Sequence, residues 1–149
     1  MKILLSAAVL LAAGAFSAFA IDNENRCGSG SLVFYGKTLN HKKEVEICKF
    51  SNGFDYKFGK PDDIPDIKIN IPANMVELEH LRGYDTGLTT ITIPNGNVKY
   101  EVGYIMPEGM EGRYEITVRQ RDKKLAVIKL DKDTVTSNIS EYADSDDVD

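Results

Sequence analysis

From Ser31 onward, apolar and polar residues alternate through most of the chain with a period of two. That period places successive side chains on opposite faces of an extended strand. The clearest stretch is Ile91 to Tyr104, ITIPNGNVKYEVGY. Val98, Tyr100, Val102 and Tyr104 share one face, while Lys99 and Glu101 take the other. Pro94-Asn95-Gly96-Asn97 interrupts the two runs. Asn-Gly suits the positive φ of a tight turn, and a proline beside it needs no N–H donor there. The pattern predicts a β-hairpin with a small polar tip.

The same reading extends along the chain. Ser31 to Tyr35 opens a first strand. Val45, Ile47 and Lys49 alternate with Glu44, Glu46 and Cys48, and Phe54, Tyr56 and Phe58 alternate with Asp55 and Lys57. Ser51-Asn52-Gly53 between those two runs makes a second hairpin. Ile67, Ile69 and Ile71 form a strand ended by Pro72. Val76 to Leu81 is read as a strand, although Ala73 to Glu79 also fits a capped helical turn. Leu88 to Ile93 leads into the central hairpin, residues 107–112 form a glycine-containing loop, and Tyr114, Ile116 and Val118 share a face. Arg119 to Lys124 is a charged turn and Leu125 to Leu130 returns.

About eight short strands, turn signals roughly every dozen residues and no long amphipathic helix predict an all-β domain, a small antiparallel sandwich or barrel. From Asn138 apolar content falls away, and the last nine residues carry five acidic ones. Such a segment buries too little surface to offset its ordering entropy, so residues 138–149 are expected to be a disordered acidic tail following a β-rich domain over 21–137.

The first twenty residues stand apart. Lys2 is followed by an apolar or small run to Phe19, and Ala18-Phe19-Ala20 has the small-x-small pattern of a signal-peptidase site. A cleaved signal peptide over 1–20 is therefore expected, with no membrane span, and the mature chain periplasmic or secreted. The remainder of the 149-residue chain suffices for one domain. In an exported chain, Cys27 and Cys48 most simply form one disulfide, closing a loop of about twenty residues.

The formal charge is −5. Nucleic-acid binding, which draws its affinity from phosphate neutralisation, is disfavoured, and a cationic protein partner is favoured by encounter rate. No catalytic set stands out, and neither an enzyme nor a cofactor is expected. His41 and His80 have no ligand spacing. Ser29, Ser31 and Ser51 lie in no Gly-x-Ser-x-Gly context. Asp131-Lys132-Asp133 begins like a calcium loop but has Thr136 where the tight-turn glycine belongs, so no metal is expected. Asp55, Glu77, Glu79, Asp85 and Glu101 are the carboxylates left for acid–base work, with no pairing evident.

Several segments together resemble the small periplasmic lysozyme inhibitors, most closely those directed at invertebrate-type lysozyme. They are Cys27-Gly28-Ser29-Gly30-Ser31-Leu32-Val33-Phe34, Gly36-Lys37-Thr38-Leu39-Asn40, Val45-Glu46-Ile47-Cys48, Tyr56-Lys57-Phe58-Gly59-Lys60 and Pro94-Asn95-Gly96-Asn97-Val98-Lys99-Tyr100. The resemblance implies a β-rich, often homodimeric protein that inserts a protruding loop into the lysozyme cleft. In that family the loop carries Ser-Gly followed closely by Tyr. Here Asn95-Gly96 stands at the matching place, with Lys99 and Tyr100 after it. The resemblance thus implies a partner-binding loop of Asn95, Gly96, Asn97, Lys99 and Tyr100 and a cationic lysozyme as partner. Alternation puts Lys99 and Tyr100 on opposite faces, so Asn95, Gly96 and Tyr100 are the preferred contribution. The alternative is a non-inhibitory secreted β-domain that binds another envelope protein or a glycan.

Overall fold

The computed structural model describes residues 25–83 and 86–143. The expected signal peptide, Asp85 and the end of the acidic tail lie outside them. Among the described residues, ten strands form two antiparallel sheets of five. The first has the order β10-β1-β2-β3-β4, from β1 (Ser31–Lys37), β2 (Glu44–Phe50), β3 (Gly53–Gly59), β4 (Ile67–Ile71) and β10 (Thr136–Ser137). The second has the order β5-β6-β7-β8-β9, from β5 (Glu77–Arg82), β6 (Gly87–Asn95), β7 (Val98–Met106), β8 (Arg113–Gln120) and β9 (Lys123–Lys129). The sheets stack as an open sandwich, which decides between the two architectures the alternation allowed.

The period-two residues supply its core. On β2 and β3, Val45 faces Phe58 and Ile47 faces Tyr56. On the other sheet, Ile91 pairs with Val102 and Val102 with Ile116. All are buried and belong to one apolar cluster between the sheets. The Tyr56 ring stacks on Tyr100 at 5.1 Å, so an aromatic pair joins the two layers at the centre. Gly103, at φ +149°, lies so close to β6 that an added Cβ would come within 2.1 Å of the Thr89 carbonyl oxygen.

The ambiguous segment before β5 resolves into both of its readings in turn. Ala73–Met75 is a single 3-10 turn after Pro72, and the strand begins at Glu77.

The C-terminal expectation needs correction. Beyond Asn138, Ile139–Ala143 form a short helix, α1, whose Ile139 is fully buried in the main core. Asn138 fastens it by donating from its backbone N–H to the Val33 carbonyl and from its side-chain amide to the Leu32 carbonyl. One isoleucine at the right place lets this polar segment order, an effect averaged composition does not reveal.

Cys27 and Cys48 form the expected disulfide. It lies on the outer side of the first sheet in a second, smaller apolar cluster with Leu32 and Tyr35. The Arg26 guanidinium covers the Tyr35 ring at 3.6 Å, and the Tyr35 hydroxyl donates to Glu44 at 2.7 Å. Burial, reinforced by that carboxylate, raises the Tyr35 pKa well above the ordinary tyrosine range.

Candidate functional site

The β6–β7 hairpin has the predicted form. Asn95 pairs with Val98, leaving Gly96 and Asn97 as a two-residue loop. Gly96 is at φ +62° and Asn97 is not in the positive-φ region. A positive φ at the first loop residue alone is the requirement of a type II′ turn, which matches the right-handed twist of the flanking strands. Asn95, Gly96, Asn97 and Lys99 are exposed.

Tyr100 is the exception among the expected loop residues. It points between the sheets, packs against the core and stacks on Tyr56. The loop contribution is therefore corrected to Asn95, Gly96 and Asn97, with Lys99 on the outer face. Lys99 Nζ lies 3.4 Å from Glu77 Oε1 across the sheet. Alternation separated Lys99 from Tyr100 correctly, but it does not say which of the two faces the core.

The β8–β9 hairpin, read from sequence only as a charged turn, lies beside this tip. The Arg121 N–H donates to the Asn97 carbonyl at 3.3 Å, tying the two turns together. Arg121 takes φ +55°, a left-handed position unusual for a long side chain. Arg119, Arg121, Lys123 and Lys124 make no ion pair among the described residues. With Lys99, which Glu77 already pairs, they place five cations against two nearby acids, Glu77 and Asp122, at one end of an acidic chain. The available sequence signal was the matched length of β7 and β8, which brings consecutive hairpin tips level.

The other singled-out residues are dispersed. His41 follows β1 and its ring pairs with Asp131, whereas His80 on β5 hydrogen-bonds Thr89 Oγ1 at 2.9 Å. Asp131 caps the 3-10 turn Lys132–Thr134 by accepting from the Asp133 N–H. His41 chiefly, together with that N–H, lowers its carboxyl pKa. Its oxygens thus serve the turn and His41. Asp55 accepts from Asn70, and Glu77 pairs with Lys99. Glu115 is a buried carboxylate that the sequence did not single out. It lies on the outer face of β8, accepting from Arg113 Nε at 2.6 Å and Thr117 Oγ1 at 3.2 Å. Among the described residues no helix is long and apolar enough to cross a membrane.

Comparison of the chain with protein-family models, with curated proteins and with solved structures gave no match.

Proposed function

We propose that this chain is an exported binding protein that acts by steric occlusion, entering an acidic recess of a partner protein with its paired β6–β7 and β8–β9 tips. A lysozyme, the invertebrate type first, is the partner to test. The observation that carries the reading is the charge contrast between a basic, exposed projection and an otherwise acidic chain. A glycosidase cleft built around two carboxylates is the complementary shape and charge for such a projection. The acidic body speeds encounter with a cationic enzyme, and the basic tip sets orientation within the cleft. Asn95 and Asn97 add amide donors and acceptors at the leading edge.

The test is titration of the oxidised protein into cell-wall lysis by invertebrate-type, chicken-type and goose-type lysozymes at two ionic strengths. Inhibition of one class, weakened by salt and by the triple change Arg121→Glu, Lys123→Glu, Lys124→Glu, is the expected result. Removing three exposed charge contacts should weaken binding about tenfold or more. Full inhibition by the folded triple variant would remove the tips from the mechanism.

The position of Tyr100 favours a second reading. With its ring held between the sheets, the tip lacks the aromatic anchor the family loop carries, which fits a non-inhibitory exported β-domain bound to a different acidic envelope protein. Unimpeded lysis by every lysozyme class, together with salt-sensitive binding of an acidic envelope protein by the same tips, would select it.

A further inference from the structure

We infer that the end of the sandwich remote from the hairpin tips holds a binding cavity for an uncharged oligosaccharide, built on Tyr104, Tyr114 and Leu39. Tyr104 is six residues along β7 from Val98, roughly 20 Å from the tip at strand rise. The cavity has a volume of about 580 Å³, within the range of small-molecule sites.

Its lining combines an aromatic and aliphatic part with a charged rim. The Tyr104 and Tyr114 rings meet at 58° with centroids 5.3 Å apart, and Leu39 and Leu130 complete the lining. Leu39 is 62 % exposed, a large aliphatic side chain held open to solvent at the rim. Gly112 allows this arrangement. A Cβ there would overlap the Tyr104 hydroxyl at 1.7 Å, so only glycine lets that ring lie against the backbone at the cavity.

The polar groups around these rings are unspent. Neither tyrosine hydroxyl has a protein partner among the described residues, and both are open to solvent. Arg113, by contrast, turns its guanidinium to Glu115 on the outer face of β8. Glu111 and Asp133 contribute carboxylates free of ion pairs there.

A pyranose presents a flat C–H face and a rim of hydroxyls that both donate and accept. An aromatic corner bordered by phenol and carboxylate groups matches both parts. Local charge argues against phosphates and acidic polysaccharides, because Glu111, Asp131 and Asp133 outnumber Arg113 and Lys132 at the cavity. The site is separate from the hairpin tips and does not depend on what they bind.

The experiment is a backbone amide NMR titration of the oxidised protein with chitotetraose, cellotetraose and maltotetraose in the millimolar range, and with inorganic phosphate as the charged counter-probe. At least one oligosaccharide should shift amides near Leu39, Tyr104, residues 111–114 and residues 130–133, with phosphate leaving them still. Tyr104→Ala should weaken that binding about tenfold, the loss typical of one anchoring aromatic. Leu39→Asp alters an exposed side chain and should also weaken it, providing a readout if Tyr104→Ala does not fold. Lys123→Glu, at the other end, should have no effect. Absence of shifts at this end with all three sugars, or undiminished binding by either folded cavity variant, would overturn the assignment.

Discussion

Replacing Ile139 by alanine tests whether helix α1 is part of the fold or an appendage to it. The side chain is fully buried in the main core, reached from a helix of only five residues. The change removes three carbons, which at about 0.8 kcal/mol each accounts for about 2.5 kcal/mol of lost burial. The residual cavity adds to this, and measured isoleucine-to-alanine changes in cores span about 2–5 kcal/mol. Helix α1 is only five residues long, so it relaxes into part of the space, and a loss of about 3 kcal/mol is expected. Glu141→Ala, on the exposed side of the same helix, should stay within about 0.5 kcal/mol. Urea denaturation of the oxidised protein followed by circular dichroism is the assay, with the m value checked for constancy. If Ile139→Ala unfolds within about 0.5 kcal/mol of the parent at unchanged m, α1 contributes nothing to the core and residues 139–143 are an appendage to the fold.

Three further outcomes are expected. Gly103→Ala should destabilise far more than Gly96→Ala in the same urea assay: the first puts a methyl 2.1 Å from a carbonyl oxygen, while the second meets no atom within 4 Å and costs only about 1 kcal/mol for its positive φ. Reducing the Cys27–Cys48 bond should lower stability by about 3 kcal/mol for a loop of this size, seen as a difference between melts with and without reductant. Stability should also fall as pH rises above about 10, because burial raises the folded-state pKa values of Tyr35 and Tyr56 above the unfolded value: both favour the fold below that pH, and their contribution is lost on approach to the folded values. Phenolate absorbance during an alkaline titration should show these two lagging the rest, and Tyr35→Phe should flatten the stability slope.

Alternation carried most of the fold because it reports directly on strands with one buried face. Phe54, Tyr56 and Phe58 fall on the inner face of β3, as do Val45 and Ile47 on β2, in the register their spacing required. Alternation alone does not assign the inner face of a strand whose two sides carry residues of similar character. Tyr100 was legible as opposite to Lys99, but its commitment to Tyr56 depends on the other sheet. The basic β8–β9 tip was visible only as a charged turn, since its value as a surface comes from lying beside Asn97. Glu115 escaped notice for a similar reason. An isolated acid on a strand gives no hint that Arg113 and Thr117, two positions away on either side, will satisfy it in a buried setting.

The strand β10 and the segment after it have a consequence for how the molecule is made. Phe34 is paired with Ser137, and Asn138 holds the Leu32 and Val33 carbonyls, so the first strand acquires its outer neighbour from residues more than a hundred positions later. A chain that emerges N-terminus first presents β1 with an open edge until residues 136–138 are available. Closure of so distant a contact is slow, and an uncovered strand edge invites pairing with other chains in the interval. Residues 136–143 thus act as a latch on β1, and the folding yield of this protein should be more sensitive to damage in that segment than its small size implies.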